Sequence, residues 1–303
     1  SEKSSIHAAS ALAALAKQHS ENCAIIIKRM VTTISTKAAP PRAVRLLNAV
    51  AALCDNEPMN QIAMAKMGGI QPLIPWLEHT EEEVQVQAAR ALLAVASNNS
   101  TTQSLIGKLG GVKPLVMLVD RGSLEAQGHA CCALWHLATL GTNRTRIGHA
   151  QAFAPLVRML IADGDRAPQL ASMLILRLAE GSTKATNAVA DAGGIIPLVK
   201  LLSASNSGTQ QMATASLAAL GSVSKNRDII ASAGAITPLI HLLTNKTLGT
   251  PETAARALGC LARNNGDDVE VAEVALEVEE AAVEVAEAAE DEVNLEEHAE
   301  DDA

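Results

Sequence analysis

The sequence predicts an all-α fold, a solenoid of helices built from one repeated unit. Three observations predict it. A short motif of small residues, an apolar residue and Pro-Leu recurs five times: GGIQPLIPWL from Gly68, GGVKPLVMLV from Gly110, AQAFAPLVRML from Ala150, GGIIPLVKLL from Gly193 and GAITPLIHLL from Gly234. Its prolines, Pro72, Pro114, Pro155, Pro197 and Pro238, are spaced 42, 41, 42 and 41 residues apart, and a constant period of this length marks a repeat architecture. The third observation is compositional. Nearly half of the 303 residues are hydrophobic, yet the aromatics are only Phe153, Trp76 and Trp135, a balance that favours close-packed Ala-rich helices over strands.

Each unit reads as three helices. The first is short, as in NRDIIASAG from Asn226, and a glycine closes it in the left-handed conformation that glycine tolerates. The second begins at once with the Pro-Leu motif. Its proline belongs in the first turn, where the missing N–H has no intrahelical partner to lose. The third is longer and Ala-rich, as in QVQAARALLAVAS from Gln85, and polar loops such as HTEEE, DRGS and SASNSG precede it. Thr80 with Glu83 reads as a capping box for one third helix, Thr250-Pro251 as a cap and first-turn proline for another, and Pro168 plays a similar part. One period before Pro72 lies Met30, in IIIKRMVTTI, which reads as a degenerate second helix without the glycine pair.

In domain terms, residues 1–19 read as a partial N-terminal repeat, a lone third helix in IHAASALAALAKQ. Residues 20–265 form the repeat array, and residues 266–303 form an acidic Ala/Glu/Val-rich capping helix and tail. A chain that opens in mid-repeat reads as a fragment or a trimmed form.

The three-helix unit, its period and the Gly-Gly-apolar-x-Pro-Leu motif resemble the armadillo repeat, over about six units. The resemblance implies a right-handed α-solenoid whose third helices line a concave groove for extended peptides or partner proteins. In the family's nuclear-import carriers, the third helix bears a Trp and, four residues on, an Asn that clamps peptide backbone. On that frame the Asn positions here hold Ala52, Ala94, His136, Arg177, Ala219 and Cys260. The Trp positions hold Asn48, Arg90, Cys132, Met173, Ala215 and Arg256. Neither ladder survives, so the carriers' basic ligand does not transfer. The resemblance therefore implies a partner-binding groove with Asn48, Arg90, Cys132, His136, Met173, Arg177, Arg256 and Cys260, suited to a protein or peptide of acidic or mixed charge.

Charge is divided along the chain. Residues 267–303 carry 17 of the 33 acidic residues and none of the 24 Lys and Arg, so the body before them is basic. The tail is patterned: Val271, Val278 and Val285 repeat every seven residues, as do Leu276 and Val283, with Ala275, Ala282 and Ala289 between them. This spacing sets an apolar stripe on a helix with Glu elsewhere. The tail caps the last repeat, folds back into the groove, or recruits a basic partner.

Catalytic signatures are missing: there is no GxSxG elbow, no phosphate-binding glycine loop and no HExxH. His129, Cys132 and His136 share one helix face and are the sole weak candidate for a metal. A structural site wants four donors, so no metal and no cofactor is expected. Nucleic acid is an unfavoured partner, because few aromatics exist to stack bases. No apolar stretch reaches membrane-spanning length. Five cysteines without a CxxC pair suggest a reducing compartment, cytoplasmic or nuclear. The function expected is a non-enzymatic interaction scaffold or adaptor, modulated by the acidic tail. The alternatives are the substrate-recruiting region of a larger enzyme such as a ubiquitin ligase and, more weakly, a nuclear transport carrier.

Overall fold

The computed structural model describes residues 20–34, 39–243 and 250–262, and among these every regular element is a helix. The residues fall into two compact units, Ser1–Met159 and Leu160–Ala303.

Unit 1 begins with α1 (Ser20–Ile34) and α2 (Pro40–Cys54). The degenerate copy around Met30 is therefore not a separate second helix. Without a glycine pair nothing turns the chain there, and one uninterrupted helix replaces two. Pro40 and Pro41 then open α2 in the first turn, where proline fits. The next repeat is α3 (Pro58–Lys66), a 3₁₀ helix (Gln71–Glu78) and α4 (Glu82–Ala96). Its second helix is 3₁₀ because a second proline, Pro75, lies inside it and cannot donate an α-helical hydrogen bond. The following repeat is α5 (Ser100–Lys108), α6 (Val112–Arg121) and α7 (Leu124–Leu137), and α8 (Gly141–His149) and α9 (Phe153–Leu160) come after it.

Unit 2 holds α10 (Arg166–Ala179), then α11 (Thr183–Asp191), α12 (Ile195–Leu201) and α13 (Ser207–Leu220), then α14 (Ser224–Ser232), α15 (Ile236–Leu243) and α16 (Thr250–Ala262).

The corner between first and second helices is the same each time. Gly68, Gly110, Gly193 and Gly234 adopt φ of +70° to +85°, and Gln151 takes the equivalent place at +60°. The next residue donates back to the first helix: Gly69 to the carbonyl of Met64 (2.8 Å), Gly111 to Ile106 (3.0 Å), Gly194 to Val189 (3.0 Å). This is the closing bond of a Schellman turn, and it satisfies a carbonyl the helix end leaves open. Pro114 and Pro197 then fall at the third residue of α6 and α12, as the first-turn placement requires.

Third helices carry the core. In α4, Ala88, Ala89, Ala91, Leu92, Val95 and Ala96 are fully buried, and the small alanines let neighbouring helices approach closely. Within unit 1, α2 packs on α4 and α4 on α7; within unit 2, α10 packs on α13 and α13 on α16. The α10–α13 contact is also hydrogen-bonded, Ser216 Oγ donating to the Ser172 carbonyl (2.9 Å) and Thr209 Oγ1 to that of Asp165 (3.4 Å). The expected capping box at the start of α4 is not formed. Glu81 is the cap residue and makes no side-chain cap bond. His79 organises the start instead: its Nδ1 accepts from the Glu81 N–H (3.1 Å), and its carbonyl accepts from Gln85 Nε2 (2.6 Å). The segments 1–19 and 266–303 lie outside the described residues.

Candidate functional site

Third-helix residues spaced by one period occupy equivalent places on parallel packed helices. In unit 1 these places hold Asn48 on α2, Arg90 on α4, and Cys132 and His136 on α7. In unit 2 they hold Met173 and Arg177 on α10, and Arg256 and Cys260 on α16. Ala215 and Ala219 of α13 lie at the equivalent positions between them.

Their environments differ despite the shared register. Asn48 is 91% buried, and its Oδ1 has no hydrogen-bond partner. Gln87, one turn before Arg90, is equally buried. Its Nε2 donates to Glu83 Oε1 (2.9 Å), while its own Oε1 lacks a partner. Arg90 and Arg256 are exposed, and Cys132, His136, Met173 and Cys260 are half-buried. Arg177, with its side chain 31% exposed, lies 3.7 Å from Glu180. The face in unit 1 is therefore mixed, with buried amides beside Arg90. The face in unit 2 is cationic over an apolar floor.

The His129–Cys132–His136 cluster gains no further donor. Among the described residues no group of three or more His, Cys, Asp or Glu is placed to hold a metal ion. His129 Nε2 instead lies 3.7 Å from Glu125, and the His136 ring meets Trp135 edge-on at 4.9 Å. Trp135 is half-buried, as is Trp76, whose ring centroid is 5.6 Å from that of His79. Cys131, next to Cys132, is fully buried, and burial pushes its thiol far above the ordinary range, with Cys132 adding to the shift. Burial keeps it a packing residue rather than a nucleophile.

One set of residues escaped the sequence reading. Each first helix buries a polar residue: Asn60, Thr102, Asn143, Thr186 and Asn226. Four of them donate to a carbonyl at the end of the preceding third helix. Asn60 Nδ2 reaches Leu53 (2.6 Å), Thr102 Oγ1 reaches Val95 (2.6 Å), Thr186 Oγ1 reaches Ala179 (3.5 Å) and Asn226 Nδ2 reaches Leu220 (3.1 Å). Asn143 reaches across to the Gln103 carbonyl of the preceding repeat (2.9 Å). The signal was present as a polar residue 12 positions before the motif proline in four repeats, and 11 before it at Thr186. These residues hold the scaffold together and take no part in the binding face.

Repeated three-helix units whose third helices pack on one another make up a helical-repeat scaffold. The family model for the armadillo/beta-catenin-like repeat matches residues 57–93 and 182–220. An engineered protein solved by the Northeast Structural Genomics Consortium is 29% identical, with a TM-score of 0.73 over 78% of this chain and 96% of its own. A second engineered protein from the same consortium is also 29% identical, with a TM-score of 0.77 over 84% of this chain and 64% of its own. A designed armadillo repeat protein, solved in complex with the peptide (KR)4, is 23% identical with a TM-score of 0.72 over 78% of this chain and 99% of its own. A comparison with curated proteins finds no match. Armadillo/beta-catenin-like repeats are therefore matched within both units, and the fold is the all-α solenoid seen in armadillo repeat proteins.

Proposed function

We propose that this chain is a non-enzymatic interaction scaffold whose third-helix faces hold an extended partner segment of acidic or mixed charge, with access modulated by its own acidic C-terminal segment. The carrying observation is the exposure of Arg90 and Arg256, with Arg177 half-exposed, at third-helix positions where nothing on the frame is acidic. Exposed cations attract carboxylates over roughly a Debye length, about 10 Å at 0.1 M salt. They also disfavour a basic segment such as the one bound by the designed relative.

The test is a titration of the full chain with two synthetic peptides, an alternating Glu-Val decamer and (KR)4, at low and high salt. The acidic peptide binds and weakens as salt rises, and (KR)4 binds more weakly. Each exposed ion pair contributes about 0.2–1 kcal/mol, so Arg177→Glu weakens the acidic peptide roughly fivefold once repulsion replaces attraction. Its helical circular dichroism and melting stay unchanged. Tighter binding of (KR)4 overturns the charge assignment.

A further inference from the structure

The third helices of unit 2 carry three arginines, Arg166 and Arg177 on α10 and Arg256 on α16, together with half-buried Leu170 and Met173 on α10 and Met212 on α13. The carboxylates nearest in sequence are Asp163 and Asp165 before α10, Glu180 beside Arg177, and Glu252 in the first turn of α16. The surface therefore combines cations with a shallow apolar strip, and it suits a segment bearing carboxylates and aliphatic side chains together.

We infer that its occupant is residues 267–303 of this same chain, which regulate the face by covering it. This rests on the charge assignment proposed above. The segment offers both halves of the complement, Glu in every turn and the aliphatic stripe of Val271, Leu276, Val278, Val283 and Val285. On an isolated helix its Glu residues repel one another at i,i+3 and i,i+4, so contact with arginines removes a cost that solvent leaves in place. The geometry of attachment also fits. Ala262, the last described residue, ends the helix that bears Arg256 and Cys260, so the segment starts five residues beyond that helix and eleven beyond Arg256. Three packed helices at about 10 Å spacing set a span of about 20 Å. A segment of this length covers about 55 Å even if wholly helical. Tethering holds it at an effective concentration in the millimolar range, so a free acidic partner must outcompete it.

Hydrogen exchange on the full chain reads this directly. The expected result is amide exchange in residues 270–290 at least tenfold slower than the intrinsic rate at low salt. That protection disappears in 0.5 M salt and in the double variant Arg177→Glu/Arg256→Glu. Exchange at the intrinsic rate in the wild type overturns the inference. So does protection that survives the charge reversal, which would make the segment an end cap of the last repeat. A second variant separates this from the reading it rests on. Replacing Glu270, Glu273, Glu277, Glu280, Glu284 and Glu287 by Gln in the full chain raises affinity for the Glu-Val decamer about tenfold. Unchanged affinity with the decamer still bound refutes the tail's role and leaves the acidic-partner reading standing. A decamer that binds neither protein refutes both.

Discussion

Replacing Gln61 by Leu should destabilise unit 1 more than any surface change. Gln61 is 1% exposed and ties its own repeat to the ones before and after it. Its Nε2 lies 3.0 Å from the Cys54 carbonyl, 2.9 Å from that of Ala94 and 3.1 Å from that of Ser97, while its Oε1 accepts from Asn99 Nδ2 (3.0 Å). Leucine fills nearly the same volume, so no cavity term arises and the loss is polar. The Cys54 carbonyl keeps the Glu57 N–H at 3.3 Å, and half-buried Ser97 can turn to water. That leaves the Ala94 carbonyl and the buried Asn99 amide unpaired. At about 1–3 kcal/mol for each stranded group, the expected cost is roughly 2–5 kcal/mol. The bonds to Cys54 and Asn99 cross to the neighbouring repeats while those to Ala94 and Ser97 stay within one, so the loss weakens nearest-neighbour interfaces as well as the repeat itself. Urea unfolding followed by circular dichroism should show a lower midpoint and a broader transition, because the N-terminal repeats melt ahead of the rest. A loss below about 1 kcal/mol, with an equally sharp transition, refutes the argument and means water satisfies these groups.

Three further outcomes are expected. A Cβ at Gly107 would clash with Asn143 Oδ1, inside a buried contact where Asn143 also binds the Gln103 carbonyl. Gly107→Ala should therefore cost about 1–3 kcal/mol by overpacking, and a thermal-melt cycle with Asn143→Ala should recover part of that loss. Asn48→Leu removes a buried oxygen that lacks a partner, so the melting temperature of the unliganded protein should hold or rise; a clear fall would show that the amide is satisfied. The third concerns Asp120 on α6, whose pKa is held below its ordinary 3.8 chiefly by the hydrogen bond of Arg158 on α9; burial opposes this, and the charge of Arg158 and the contact with Arg121 add to the lowering. A depressed carboxylate contributes stability above its unfolded pKa and loses it as pH falls through the folded one. The gap between wild type and Asp120→Asn in chemical denaturation should therefore persist at pH 7 and close below about pH 4.

The period of the fold was legible because backbone rules write it. Proline at the third helical residue and glycine at positive φ are demanded by the missing N–H and the missing Cβ, and no neighbouring repeat can alter either demand. Where those markers are lacking, the sequence misleads: the Met30 segment read as a degenerate second helix because only spacing, not a glycine, suggested a corner. The capping box failed for a related reason. Thr80 and Glu83 have the right identities, but a His79 ring close by supplies an acceptor to the Glu81 N–H, and nothing in a four-residue pattern ranks the two. On the third helices, the register of Asn48, Arg90 and Cys132 was readable, since equal spacing puts them on one face. Their exposure was not. It depends on side-chain reach: a long guanidinium at position 90 extends beyond the helix seam into solvent, and a short carboxamide at position 48 stays within it. The same distinction explains why the first-helix ladder went unread. A polar residue recurring every repeat looks like a solvent face until each is found buried and bonded to the end of the helix before it, or, at Asn143, to the repeat before it. Recurrence at the period therefore identifies what builds the scaffold, whereas the third-helix positions expected to face a partner, Asn48, Arg90 and Cys132 in unit 1 and Met173, Ala215 and Arg256 in unit 2, differ in identity from repeat to repeat.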